Sequence, residues 1–177
     1  LLKSARESGL KIFHVVGGGD YYKKCPGYHR TVELTGEGPG APAKIQSSPE
    51  SEKLMEFRRE HAGSGPDNEA DINRFYKEVY FPEQAVPGDD EYIAANEQQL
   101  FKICSHEGIS HLVYIGFAID WCLLSARGGM IDMTKRGLIC SAIRQGVTAI
   151  ENKETAAKQL CKEVGLWRVG VCFGFVF

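Results

Sequence analysis

The stretch His111-Leu112-Val113-Tyr114-Ile115, running straight into Gly116-Phe117-Ala118-Ile119-Asp120-Trp121-Cys122, constrains this chain more than any other. A short, mostly apolar run without strict alternation is the pattern of a strand buried in a parallel sheet. After Cys122, the spacing of Leu124, Met130 and Met133 predicts a helix over Leu123 to Met133. Strand, tight turn and helix together place Cys122 at the carboxyl end of a strand, where open α/β sheets bind ligands. The unpaired amides and dipole of a helix N-terminus favour a thiolate. Cys122 is therefore the candidate nucleophile. The competing reading of a cysteine in apolar surroundings is a small buried hydrophobe.

The rest of the chain repeats this alternation. Leu1, Leu2, Ala5 and Leu10 share one helical face ending at Gly9, and Lys11 to Val16 reads as a strand. Gly17-Gly18-Gly19-Asp20 lacks the spacing, the Lys-Ser/Thr and the helical continuation of a phosphate loop, so it reads as a flexible connection. Tyr21 to Lys24 reads as a surface turn, and nothing in the spacing of Asp20 and His29 places them at a pocket. Residues 35–88 form a loop-rich insertion, broken by Gly36 to Pro42 and by Ala62 to Pro66. Helices are expected there over Ser51 to His61 and Asp67 to Tyr80, the latter with Ile72, Phe75, Tyr76 and Val79 at helical spacing. Long insertions of this kind serve as lids or binding segments, or else as solvent loops. Glu91 to Ala95 reads as a strand. Asn96 caps the following helix, with Gln99 at the capping-box position. Leu138 to Ile143 reads as a buried strand and Glu151 to Val164 as a helix stopped by Gly165. Val169 to Phe177 reads as a last apolar strand. Cys104, Cys140, Cys161 and Cys172 fall on apolar faces as core residues.

The segment Gly108 to Cys122 resembles the nucleophile region of the isochorismatase-like cysteine hydrolases, in which Gly-Ile, an apolar strand and Gly-x-Ala/Thr-x-x-x-Cys end in the catalytic Cys. Asp132-Met133, Arg136-Gly137 and Thr148-Ala149 continue the likeness, which covers residues 91–177 well and 1–16 more weakly. It implies a three-layer α/β/α fold around a mostly parallel, Rossmann-like sheet. It also implies a catalytic Cys122, an oxyanion held by the amides of Ala118 and Cys122, and a cis bond between Phe117 and Ala118. The chemistry implied is cleavage of an amide or related C–N bond of a small molecule through a Cys thioester. Neighbouring subunits are expected in a homo-oligomer. Two departures stand against full activity. The family's Lys belongs at Ala95-Asn96 and is absent there, while Lys77 and Lys102 lie off the motif and read as solvated. The first strand of the family, carrying the catalytic Asp, is expected before Leu1. The alternative is a non-catalytic protein of the same fold that binds a small molecule or serves in assembly. Asp120 reads as a turn former rather than as a substitute base.

Composition narrows the partners. At 177 residues the chain is read as one domain, 1–177. A net charge of −2 gives no electrostatic reason to bind nucleic acid. The six cysteines show no zinc spacing, so no metal or other cofactor is expected, and free thiols suit a reducing cytoplasm. No apolar run is long enough to span a bilayer.

Overall fold

The computed structural model describes residues 1–39, 43–62 and 66–177. In chain order the elements are α1 (Leu2–Glu7), β1 (Phe13–Val15), α2 (Pro26–Thr35), α3 (Pro49–His61), α4 (Glu69–Glu78) and β2 (Tyr92–Ala94). There follow α5 (Glu97–His106), β3 (His111–Gly116), α6 (Cys122–Ser125), α7 (Met130–Lys135), β4 (Ile139–Val147) and α8 (Leu160–Cys172). Among the described residues all strand pairing is parallel, as short strands joined by helical crossovers require. β1 lies beside β2 with Phe13 opposite Tyr92, and β3 beside β4 with His111 opposite Ile139. The class is mixed α/β, in two parallel pairs.

Burial sorts with the pleat. Along β2, Tyr92 and Ala94 enter the main core, while Ile93 points the other way into a smaller cluster with Val16 and Tyr22. That main core also takes Leu112, Cys140, Ala142, Leu100, Ile103, Met130, Met133, Leu166 and Val169, so both strand pairs share it. Within the turn expected at the surface, Tyr22 is thus a core residue, edge-on to Tyr28 at 5.0 Å between ring centres. Helix α2 is the element that apolar periodicity did not disclose. It begins at a proline, which suits the first helical position because its missing N–H is not needed there. Thr31 and Thr35 turn their hydroxyls back onto carbonyls four residues earlier. Gly27 lets the helix approach β2, because a Cβ there would stand 2.2 Å from the Glu91 carbonyl oxygen.

Several boundaries differ from the sequence expectation. The helix expected over Leu123 to Met133 is split into α6 and α7. Between them Gly128 takes φ +82°, and a Cβ on Gly129 would meet the Leu124 carbonyl oxygen at 2.7 Å. β4 runs on to Val147. Gly165 does not stop a helix: α8 starts at Leu160 and passes through Gly165 to Cys172. The glycine is there for packing, since a Cβ would come within 2.9 Å of Ile119 Cγ2. The expected final strand is accordingly not formed: residues 173–177 run beside β4 with one isolated parallel bridge, Val176 to Ala142, and backbone bonds to Cys140, Ala142 and Arg144. Cys172, on the helix instead of a strand, is exposed, and Cys161 is only half-buried. Within the insertion, α3 starts with Ser48 and Ser51 bonded reciprocally as a capping box. Two of the expected breaks lie in part outside the described residues, at 40–42 and 63–65.

Candidate active site around Cys122

The turn carrying Cys122 is stitched from three sides. The Ile119 amide donates to the Thr148 carbonyl at 2.8 Å, and the Thr148 amide returns to Gly116 at 3.2 Å. The amides of Trp121 and Leu123 both donate to the Ala118 carbonyl, closing the turn onto α6. Asp120 Oδ1 accepts the Ile150 amide at 3.1 Å, so this carboxylate is a turn former. Gly116 takes φ +122°, a backbone conformation open to glycine, and the Phe117–Ala118 peptide is cis. Ala118 and Ile119 are fully buried, whereas Phe117 and Trp121 are exposed at 65% and 60%. The loop therefore presents its backbone and Cys122 at the surface, over an apolar anchor.

Cys122 is the first residue of α6 and is exposed. Its Sγ has no hydrogen-bond partner among the described residues, and the amides of Ala118 and Cys122 donate to no described acceptor. A thiol and two unpaired N–H groups thus occur within one five-residue turn, the donor set that a tetrahedral oxyanion requires. The other thiols differ. Burial pushes Cys104 up to about 11 and raises Cys140 as well, as apolar surroundings disfavour a thiolate.

The end of β2, where the resemblance expects a lysine, is filled by a neutral network. Asn96 Oδ1 accepts the amides of Gln98 and Gln99, capping α5. Gln99 Oε1 reaches past the cap to the Ala95 amide at 2.8 Å, while its Nε2 donates to the Gly36 carbonyl at 3.1 Å. Lys102 is not solvated as its position suggested: Nζ donates to the Thr35 carbonyl at 2.6 Å. Lys77 is exposed on α4. Asp20 is paired with Lys23 at 2.8 Å, within a surface turn. A shallow groove on α4, lined by Ile72, Phe75 and Tyr76 among others, does not include Cys122.

A charged cluster that apolar periodicity does not disclose lies at the N-terminal end of β2. Glu91, directly before β2, is 5% exposed and accepts both Arg6 Nη2 at 2.8 Å and the Gly88 amide at 2.8 Å. His14 Nε2 lies 2.6 Å from its Oε2. Hydrogen bonding to Arg6, reinforced by Gly88 and His14 against the opposing effect of burial, holds the Glu91 carboxyl down to about 2. A glutamate opening a strand of buried apolar residues was the available signal. A second polar pair, His111 Nε2 and the fully buried Ser141 Oγ, is 2.7 Å apart. Since Ser141 Oγ accepts the Phe175 amide at 2.8 Å, the pair ties 173–177 to β3 and β4.

Comparison of the whole backbone with solved structures decides what this arrangement is similar to. An isochorismatase family protein from Desulfovibrio vulgaris subsp. vulgaris str. Hildenborough matches with TM-score 0.52 at 12% identity, over 99% of this chain and 75% of that one. A cysteine hydrolase from Pseudomonas syringae pv. phaseolicola 1448A matches with TM-score 0.51 at 14% identity, over 99% and 71%. The fold is that of the isochorismatase-like hydrolases. A pyrazinamidase/nicotinamidase from Streptococcus mutans UA159 shares the isochorismatase-like fold too, with TM-score 0.50 at 14% identity over 99% and 80%. No family model matches the sequence, and no curated protein does. Among the described residues no helix is long and apolar enough to cross a membrane.

Proposed function

We propose that this chain is a cysteine hydrolase of the isochorismatase-like family that cleaves an amide or related C–N bond of a small molecule. The observation carrying the reading is the exposed Cys122 Sγ in one turn with the amides of Ala118 and Cys122, all three without a hydrogen-bond partner among the described residues. In this reaction the thiolate adds to the carbonyl carbon and the oxygen takes the negative charge, facing those two N–H groups. Collapse of the adduct breaks the C–N bond, and the amine leaves with a proton. Water then cleaves the thioester and regenerates the thiol. The base that first accepts the thiol proton is not supplied by Asp120, whose carboxylate is engaged by Ile150. The reading treats the two strand pairs as one sheet between two helical layers, in a single domain spanning residues 1–177. Residues 35–88 then act as the variable cap that selects the substrate. It also places the protein in the cytoplasm as a homo-oligomer.

A second reading, binding or assembly without turnover, is favoured by the neutral Asn96–Gln99 network at the end of β2. One experiment separates the two. A panel of carboxamides that includes nicotinamide and pyrazinamide is assayed for ammonia release, and acyl-enzyme is trapped for intact mass. Turnover and an adduct on Cys122 are expected, with Cys122→Ala lowering kcat/KM by about 10³-fold or more. Cys172→Ala, which removes another exposed thiol, should leave activity unchanged. No adduct with any amide, and alkylation of Cys122 no faster than of Cys172, would overturn the enzyme reading.

A further inference from the structure

Helix α8 begins without a cap of its own. Its N-cap residue, Gln159, has φ +51° and ψ +44°, and the Gln159 side chain bonds none of the first amides of the helix. Those amides have no partner within a helix and need an acceptor from elsewhere. Glu151 reaches across the intervening loop to supply it: Oε2 accepts the Cys161 amide at 3.2 Å and Oε1 the Lys162 amide at 3.0 Å. A carboxylate at this end also meets the positive pole of the helix dipole. The loop itself is bonded internally, with Asn152 and Thr155 each accepting the other's amide on a side-chain oxygen.

Glu151 ends a short strip, Thr148 to Glu151, that is bonded to the Cys122 turn. The Thr148 carbonyl accepts the Ile119 amide, the Thr148 amide donates to the Gly116 carbonyl, and the Ile150 amide donates to Asp120 Oδ1 at 3.1 Å. Helix α8 returns to the same turn, where a Cβ on Gly165 would stand 2.9 Å from Ile119 Cγ2. Turn, strip and helix thus close a ring of contacts, and Glu151 joins the strip to the helix.

We propose that Glu151 is a positioning residue for Cys122, holding the strip to α8 so that Ile119 and Asp120 keep the turn in place. Among the described residues it makes no bond to Cys122, and it acts through Asp120 on one side and the Gly165–Ile119 contact on the other. The proposal rests on the reading of Cys122 as the nucleophile. Cys122 is already exposed, so loosening the turn adds no access to the thiol. It does misplace the amides of Ala118 and Cys122, which favour a thiolate and face the oxyanion. Loss of Glu151 therefore slows Cys122 rather than freeing it.

Two measurements on the full, folded chain test this: the rate of iodoacetamide alkylation at Cys122, read by peptide mapping, and ammonia release from nicotinamide and pyrazinamide. Glu151→Ala should slow Cys122 alkylation roughly 3- to 30-fold. It should lower kcat by a similar factor and leave KM unchanged. Glu151→Gln keeps an acceptor oxygen at the same reach and should be slowed less, which preserves the test if Glu151→Ala does not fold. Glu163→Gln breaks a surface ion pair of the same helix with Arg144 and should leave Cys122 at the wild-type rate. Wild-type alkylation in folded Glu151→Ala overturns the proposal, as does equal slowing by Glu163→Gln, which would mean general loosening of α8. Glu151→Gln no faster than Glu151→Ala, or a raised KM at unchanged kcat, overturns it too. Absence of turnover in every protein, wild type included, counts against the enzyme reading alone, because the alkylation rates still decide the role of Glu151.

Discussion

One missing Cβ at Gly165 does more for the candidate site than any charged side chain near it. The glycine lets α8 settle on Ile119, three residues before Cys122, and Ile119 is in turn tied to Thr148. Gly165→Ala should therefore overpack this contact, at about 1–3 kcal/mol, and shift the turn that carries the thiol. A lowered melting temperature together with slower alkylation of Cys122 is the expected pair of readings. Destabilisation without any change at Cys122 would mean that Ile119 is not what positions the turn. Among the thiols themselves, exposure and burial set an order. Cys104 and Cys140 are buried, with their ionisation pushed up, and should resist iodoacetamide until the protein unfolds. Peptide mapping of native and urea-treated protein checks this.

At the scale of elements, Glu91 joins pieces that are far apart in sequence. Its carboxylate binds Arg6 of α1, His14 of β1 and the Gly88 amide, at the N-terminal edge of β2. Its folded ionisation near 2 lies below the ordinary 4.5, so the folded state takes up this proton less readily than the unfolded one. The stabilisation is therefore fully present above 4.5 and is lost as the pH falls toward 2. Because Arg6 is 35% exposed, the size is discounted from the bare shift to about 2 kcal/mol. Glu91→Gln should lose this amount at neutral pH and flatten the dependence of the urea midpoint on pH between about 4.5 and 2. An unchanged slope would show that the pair contributes nothing to folding. The start of α5 offers a simpler case: Asn96→Ala removes the acceptor for two amides and should cost about 1 kcal/mol.

At the scale of the whole molecule, the two parallel strand pairs are held together by side chains. Leu100 and Met130, both fully buried, belong to the core that Tyr92 and Ala94 share with Leu112 and Cys140. Unfolding should accordingly be a single cooperative event. Trp121 and Trp167 lie on the β3–β4 side, and the Tyr21–Tyr22–Tyr28 cluster lies beside β1 and β2. Tryptophan emission and near-ultraviolet tyrosine dichroism should give coincident denaturation midpoints. Two separate midpoints would mean that the pairs fold independently.

Local chemistry made much of this legible in the sequence. Strands at His111 and Tyr92, the Asn96 cap and the place of Cys122 at a strand-to-helix turn all follow from period, capping and glycine placement, which act over a few residues. The mixed α/β class follows from their alternation. Contacts between residues distant in the chain decided the remainder. Gly165 reads as a stop in isolation, but it lies inside a helix because Ile119 occupies the space a side chain would need. Helix α2 has little apolar periodicity and is held by Gly27 against the Glu91 carbonyl. Glu91 itself became a buried anchor only when Arg6 and His14 were brought to it across 85 and 77 residues of sequence. Periodicity reports which face of an element is apolar, and only tertiary packing determines what stands against that face.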